Sequence, residues 1–156
     1  MSSGDNEFMH RASPHSLTVG GLVLCGGKST RMGRSKAWLP FGNEAMLQRV
    51  VRLLTDVVSP IVVVAAVDQP LPTLPPEVIV TRDEQAGRGP LEGLRAGLKA
   101  LPPQVDAAYV TSCDVPLLEP AFVREMLAFV DGFDIAAMEI DGFPHRLMLV
   151  NGTGGI

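Results

Sequence analysis

Two rhythms of apolar residues alternate along this chain. Leu22-Val23-Leu24-Cys25, the run at 61–67, Val78-Ile79-Val80 and the run at 107–113 are short, continuous and rich in β-branched side chains. Such runs fill strands that are buried on both faces, as in a parallel sheet. Between them the apolar positions recur at helical spacing. Leu47, Val50, Val51, Leu54, Val57 and Val58 form one stripe after Asn43, a residue able to cap a helix, and Ser59-Pro60 ends it. Leu91, Leu94, Leu98 and Leu101 predict a second helix. Phe122, Val123, Met126, Leu127 and Val130 predict a third, starting after Glu119-Pro120 and stopped by Asp131-Gly132. Residues 134–140 and 146–150 then read as two strands joined around Asp141-Gly142, a hairpin signal.

Strand and helix taken in turn predict a mainly parallel α/β fold, a Rossmann-like three-layer α/β/α sandwich with a mixed edge near the end of the chain. The polar stretch before residue 19 lacks the apolar segment of a signal peptide and reads as a disordered extension or a remnant of expression. The domain is expected over 19–150, with 151–156 as a tail.

Composition narrows function more than fold. The 156 residues, 46% hydrophobic and 19% charged, suit one domain with a real core. A net charge of −4 with 5% aromatic residues argues against a general nucleic-acid binder, which would show a basic face and stacking rings. No apolar run approaches the roughly 18 residues needed to span a bilayer. Cys25 and Cys113 are too few for a disulfide framework, and no C-x-x-C or His-rich spacing points to zinc. They read as reduced, structural thiols of a cytoplasmic protein.

Positive charge is local. Directly after the run at 22–25 come Gly26-Gly27, where backbone without Cβ lets a ligand approach closely, and then Arg31, Gly33, Arg34 and Lys36. Exposed amides and cations converging beyond a strand end suit an anion, a phosphate above all. This is not a Walker A loop, although Gly27-Lys28-Ser29-Thr30 resembles its tail. Leu22 stands where the first glycine belongs, and no G-x-G-x-x-G is present. On the residues alone, a glycine-rich βα turn with merely solvated cations remains open.

Two carboxylates stand in comparable places. Asp83 follows the third strand and leads into a Gly-rich turn, where it can hold a ligand or simply cap the turn. Asp114 follows the fourth strand, at the carboxyl end where open α/β sheets bind ligands. It can hold Mg²⁺, which takes one or two carboxylates beside substrate phosphate oxygens, or it can serve the turn into Val115-Pro116.

The stretch from Leu24 to Pro40 fits the pattern L-C-G-G-x-S-x-R-M-G-x-x-K-x-x-L-P. It resembles the signature of nucleotidyltransferases with a GTP- or CTP-binding α/β domain of the nucleotide-diphospho-sugar transferase type, most closely the molybdenum cofactor guanylyltransferases. Gly89-Pro90-Leu91-Glu92-Gly93 matches that family's G-P-L-x-G turn, and Cys113-Asp114-Val115-Pro116 its C-D-x-P motif. The resemblance implies transfer of GMP from GTP to the phosphate of molybdenum-bound molybdopterin, with release of pyrophosphate. It implies that the backbone of Leu24, Cys25, Gly26 and Gly27 approaches the nucleotide and that Arg31 and Lys36 are catalytic, neutralising phosphate oxygens. Asp83 would hold the nucleoside and Asp114 the Mg²⁺. His145 and Arg146, after the last turn, would face the second substrate.

Gly26 stands where cytidylyltransferase relatives carry an A-A-G turn, and the missing methyl would leave room for guanine. The implied partners are GTP, a molybdopterin-type small molecule and, transiently, molybdenum-cofactor enzymes, with no nucleic acid and no membrane. Two departures stand out. Ala65 replaces an Asn that some members use after the second strand, and the chain stops before the further helix and N-x-N-T-P segment that members usually carry, which reads as a C-terminal truncation. Cytidylyl transfer, a non-catalytic nucleotide-binding module, and an α/β domain using its turn only structurally are the alternatives.

Overall fold

The computed structural model describes residues 17–26, 35–83, 90–128, 135–140 and 143–151. In chain order they form β1 (Val19–Leu24), a single 3₁₀ turn (Lys36–Trp38), β2 (Pro40–Phe41), β3 (Glu44–Ala45), α1 (Met46–Thr55), β4 (Ile61–Ala66) and β5 (Ile79–Asp83). Then come α2 (Pro90–Ala100), β6 (Ala107–Ser112), α3 (Pro120–Ala128), β7 (Ile135–Ile140) and β8 (Phe143–Asn151). Six strands make one sheet in the order β5-β4-β1-β6-β8-β7. β5, β4, β1 and β6 run parallel, while β8 is antiparallel to both β6 and β7. This is the mainly parallel sheet with a mixed edge that the apolar rhythm predicts.

The continuous apolar runs are explained by helices on both faces. Successive residues of a strand point to opposite faces. Val23 and Val63 accordingly pack with Leu47, Val50, Val51 and Leu54 of α1 and with Val123 of α3. Leu22, Val62 and Val64 pack on the other face with Leu98 of α2, Leu101 and Val105. Leu22 and Val23 are fully buried, and each such side chain stabilises the fold by roughly 1.5–3 kcal/mol relative to leaving it in water. Leu24, at the end of β1, is only half-buried.

The order of the strands is what creates a site. From β1 the chain passes through α1 to β4 and β5 on one side, and α2 then carries it back across to β6 on the other side of β1. The connections therefore part in opposite directions between β1 and β6. In an open α/β sheet, a crevice opens at the carboxyl ends of the strands at such a point.

Several expectations change in detail. Asn43 does not cap α1. Ala45 holds the cap position and its N–H donates to Gln48 Oε1 at 2.9 Å, because the hairpin of β2 and β3 brings the chain in extended right up to Met46. That hairpin turns at Gly42, whose φ of 63° suits glycine. Val57 and Val58 lie beyond the helix; their amides both donate to the Leu54 carbonyl at 3.0 Å and close it in a tight turn. Leu91 shares the helical spacing of Leu94, Leu98 and Leu101 yet is 73% exposed. Gly93 already stands over Leu24, the last residue of β1, so Leu91 lies at the rim of the sheet with little beneath it. The third helix forms as expected over Pro120–Ala128, and Val130, Asp131-Gly132 and Asp141-Gly142 lie outside the described residues.

Candidate active site

The carboxyl ends of β1 and β6 finish level with one another. Leu24 pairs with Ser112, the Cys113 N–H donates to the Leu24 carbonyl at 3.1 Å, and the Cys25 N–H donates to the Val64 carbonyl at 2.7 Å. This register sets Cys25 beside Cys113 beneath the strand ends. Both are buried free thiols joined by a hydrogen bond, and that bond together with burial raises the pKa of the Cys25 thiol well above its usual value. A thiol kept protonated in such a place is a packing group rather than a nucleophile.

Immediately above them stand Gly26 and Asp114. Gly26 is exposed, and among the described residues no atom lies within 4 Å of a Cβ added there. Asp114 is held from two sides. Lys36 Nζ donates to its Oδ2 at 2.6 Å, and the Ser112 hydroxyl donates to its Oδ1. Burial alone would raise the Asp114 pKa, but the Lys36 bond, the Ser112 bond and the Lys36 charge outweigh it and hold the carboxyl below the usual carboxylate range. The carboxylate stays ionised beside an ammonium group. Both remain open to a ligand, with 28% of the Asp114 side chain and 46% of the Lys36 side chain exposed.

Lys36 reaches this position because it opens the 3₁₀ turn, which is anchored on both sides to the loop after β4. Trp38 Nε1 donates to the Pro70 carbonyl at 2.9 Å, and Ser35 Oγ lies 2.8 Å from Gln69 Nε2. The loop after β6 is fixed in its turn by Arg49 of α1, whose Nε donates to the Pro116 carbonyl at 2.7 Å. Arg49 also lies over the Phe41 ring at 4.6 Å and shares Glu44 with Arg52. Hydrogen bonds from Arg52 and then Arg49 hold the Glu44 carboxyl below its usual range, so this frame stays charged.

Of the residues singled out in the sequence, the structure joins Lys36 directly to Asp114 and sets Leu24, Cys25 and Gly26 beside them. Asp83 ends β5, opposite Ala66 of β4, on the same edge of the sheet. Three strand spacings, ~14 Å, separate its strand from β6. Asp83 and Asp114 thus mark two ends of one rim rather than a joint ligand set. Gly27 and Arg31 lie outside the described residues, and positions 145 and 146 fall inside β8. Ala65 is fully buried within β4, so it is no part of the rim; the first polar side chain turned to account beyond β4 is that of Gln69.

Gln69, Ser112 and Arg82, whose Nη1 donates to the Ala66 and Gln69 carbonyls, are the candidate-site residues that sequence reasoning passed over. Ser112 and Gln69 flank the carboxyl ends of buried strands, the one place an α/β sheet reserves for ligands, and that rule was the available signal. Among the described residues no group of three His, Cys, Asp or Glu could hold a metal ion, and no helix is long and apolar enough to cross a membrane. Asp114 can still contribute a single hard oxygen ligand, with water and phosphate oxygens completing an Mg²⁺ shell.

The chain matches a family model described as MobA-like NTP transferase domain over residues 21–153. A Mycobacterium tuberculosis protein named probable molybdenum cofactor guanylyltransferase is 40% identical over 149 residues, covering 93% of this chain and 73% of that protein. Two solved structures share the fold. Molybdopterin-guanine dinucleotide biosynthesis protein A from Archaeoglobus fulgidus superposes with a TM-score of 0.64 at 18% identity, over 86% of this chain and 67% of that one. The 4-diphosphocytidyl-2C-methyl-D-erythritol synthase of Anaerococcus prevotii superposes with a TM-score of 0.64 at 10% identity, over 86% of this chain and 70% of that one.

Proposed function

This chain belongs to the family of MobA-like NTP transferase domains, and we propose that it transfers GMP from GTP to the terminal phosphate of a molybdenum-bound molybdopterin, releasing pyrophosphate. The observation that carries the reading is the Lys36–Asp114 pair, a cation and a carboxylate 2.6 Å apart at the switch point beside the exposed Gly26. The name of the mycobacterial relative supports guanine as the base, and so does the space over Gly26.

Phosphoryl-group chemistry of this kind asks the protein for positioning and charge rather than for a general base, because a phosphate nucleophile is already ionised near neutral pH. The backbone at Cys25 and Gly26 would approach the nucleotide, since Gly26 carries no Cβ to hold it off. With no ligand, Lys36 is paired with Asp114. An arriving polyphosphate draws the ammonium group onto its own oxygens, where it offsets charge on the α-phosphate and on the leaving pyrophosphate. Asp114 Oδ2 is then released, while Ser112 keeps Oδ1 in place. Asp114 would hold Mg²⁺, which supplies further charge neutralisation at the phosphates. Asp83, at the far end of the rim, would hold the nucleoside. The buried, free thiols support a reducing, cytoplasmic setting, in which the product would pass to molybdenum-cofactor enzymes.

The test is a thermal-shift and calorimetric titration of the chain with GTP and CTP, each with and without Mg²⁺, followed by pyrophosphate release with molybdopterin. A ligand that binds only the folded state adds about 2.7 kcal/mol at a hundredfold excess over its dissociation constant. Mg²⁺-dependent stabilisation by GTP over CTP, with turnover, is the expected result. Stabilisation by CTP instead would move the chain to the cytidylyltransferases, and no response to either would overturn the nucleotide reading.

A further inference from the structure

One side-chain amide links three separate elements of the site. Gln69 Oε1 accepts the Ala66 N–H at 3.1 Å, and Nε2 donates to the Cys25 carbonyl at 3.1 Å and to Ser35 Oγ at 2.8 Å. The chemistry of the partners fixes the orientation of the amide. A backbone N–H can only donate and a carbonyl can only accept, so the oxygen must face Ala66 and the nitrogen Cys25. Both N–H groups of Nε2 are thereby used.

Gln69 is itself held firmly. Its N–H donates to the Ala66 carbonyl at 3.1 Å, and Arg82 Nη1 donates to the carbonyls of both Gln69 and Ala66, at 2.6 and 2.9 Å. Oε1 and the backbone N–H thus anchor it to the end of β4, and its carbonyl ties it to Arg82 of β5, leaving Nε2 as the working arm. That arm joins the carboxyl end of β1 to Ser35, the residue before Lys36. Pro70, next in the chain, accepts Trp38 Nε1 at 2.9 Å. Lys36 is consequently bracketed by ties from adjacent residues of one loop, at Ser35 and at Trp38.

We propose that Gln69 is a positioning residue of the nucleotidyl transfer: by clamping Ser35 to the carboxyl end of β1, it sets Lys36 at the point where the phosphates react. Gln69 acts through Lys36 and needs no contact with substrate. This rests on the reading of Lys36 as the group that offsets phosphate charge. A cation serving a transition state must be held closely, since a displacement of about 1 Å can cost roughly a hundredfold in rate.

Two variants of the full chain test this. Gln69→Ala removes the amide. Gln69→Glu keeps the length of the side chain and the acceptor for Ala66 N–H but has no N–H for the Cys25 carbonyl, so it spares the fold-facing bond. Amide hydrogen exchange is read at Trp38 and Leu39, whose N–H groups close the 3₁₀ turn onto Ser35 and Lys36. Steady-state pyrophosphate release from GTP and molybdopterin, which gives kcat and KM, is read in wild-type and Lys36→Ala backgrounds.

Both variants are expected to speed exchange at Trp38 and Leu39. Both should lower kcat roughly tenfold or more, with KM for GTP little changed. Neither should have much further effect once Lys36 is gone, because the two residues then act as one unit. Unchanged exchange, unchanged kcat, or an equal loss in the Lys36→Ala background would overturn the proposal. A wild-type chain that releases no pyrophosphate overturns the guanylyl-transfer reading instead, and the exchange result then decides alone whether Gln69 holds the turn.

Discussion

Lys36 and Asp114 are 78 positions apart in the chain and 2.6 Å apart in space, joined where the connections to β1 and β6 part. Both side chains are open to solvent, and an exposed pair of this kind contributes about 0–1 kcal/mol to stability. Its value lies in what it can do for a phosphate. Lys36→Ala should therefore leave the melting temperature nearly unchanged while slowing pyrophosphate release by roughly a hundredfold or more. A soluble Lys36→Ala protein with full activity would sink the assignment.

Asp114 has a pH signature of its own. Its carboxyl is held below the usual range in the folded protein, so the unfolded chain takes up that proton more readily than the folded one does. The associated stability is present above the ordinary carboxylate pKa, about 3.9, and is lost as pH falls through the lowered value. Given the exposure of the pair, the effect should stay within about 1 kcal/mol. Urea unfolding of wild-type and Asp114→Asn proteins should show a gap at pH 6 to 7 that narrows on acidification; a gap that widens would contradict the ion pair.

Gly97 reverses the usual helix rule. Alanine is favoured over glycine in a helix interior by about 1 kcal/mol. A Cβ at Gly97, however, would collide with the side chains of Leu22 and Val64 on the sheet below. Overpacking costs about 1–3 kcal/mol, so the net effect of Gly97→Ala should be destabilising or at best neutral. A clear rise in melting temperature would show that α2 sits further from β1 than described.

Gly26 offers the opposite case. Added bulk there meets nothing within 4 Å among the described residues, so Gly26→Ala should change stability by less than about 0.5 kcal/mol. Any effect on ligand then reports on the ligand. Weaker GTP stabilisation with CTP stabilisation retained is expected if the missing methyl makes room for a purine; equal effects on both nucleotides would detach base choice from this residue.

Most of the scaffold was legible in the chain because hydrophobic periodicity is local. Val62 and Val63 had to face opposite sides of a sheet, and Leu47, Val50, Val51 and Leu54 had to share one side of a helix, whatever else the molecule did. Asp114 could be singled out for the same reason, as a carboxylate at the end of a buried run. Periodicity misled where an element met the edge of its support. Leu91 carries the spacing of a core residue but stands past the sheet, and Asn43 carries the chemistry of a cap but belongs to a hairpin.

The remainder depended on strand order, which no local pattern encodes. Only when α2 returns the chain across β1 do Ser112 and Asp114 arrive beside Gly26 and within reach of Lys36. Only when β4 packs against β1 does Gln69, in what reads as a proline-rich loop, find the Cys25 carbonyl and Ser35. Residue types and their periods come from covalent chemistry and side-chain solvation along the chain. Contacts between distant positions come from how layers close over a shared core, and those contacts are what turn separate polar residues into a site.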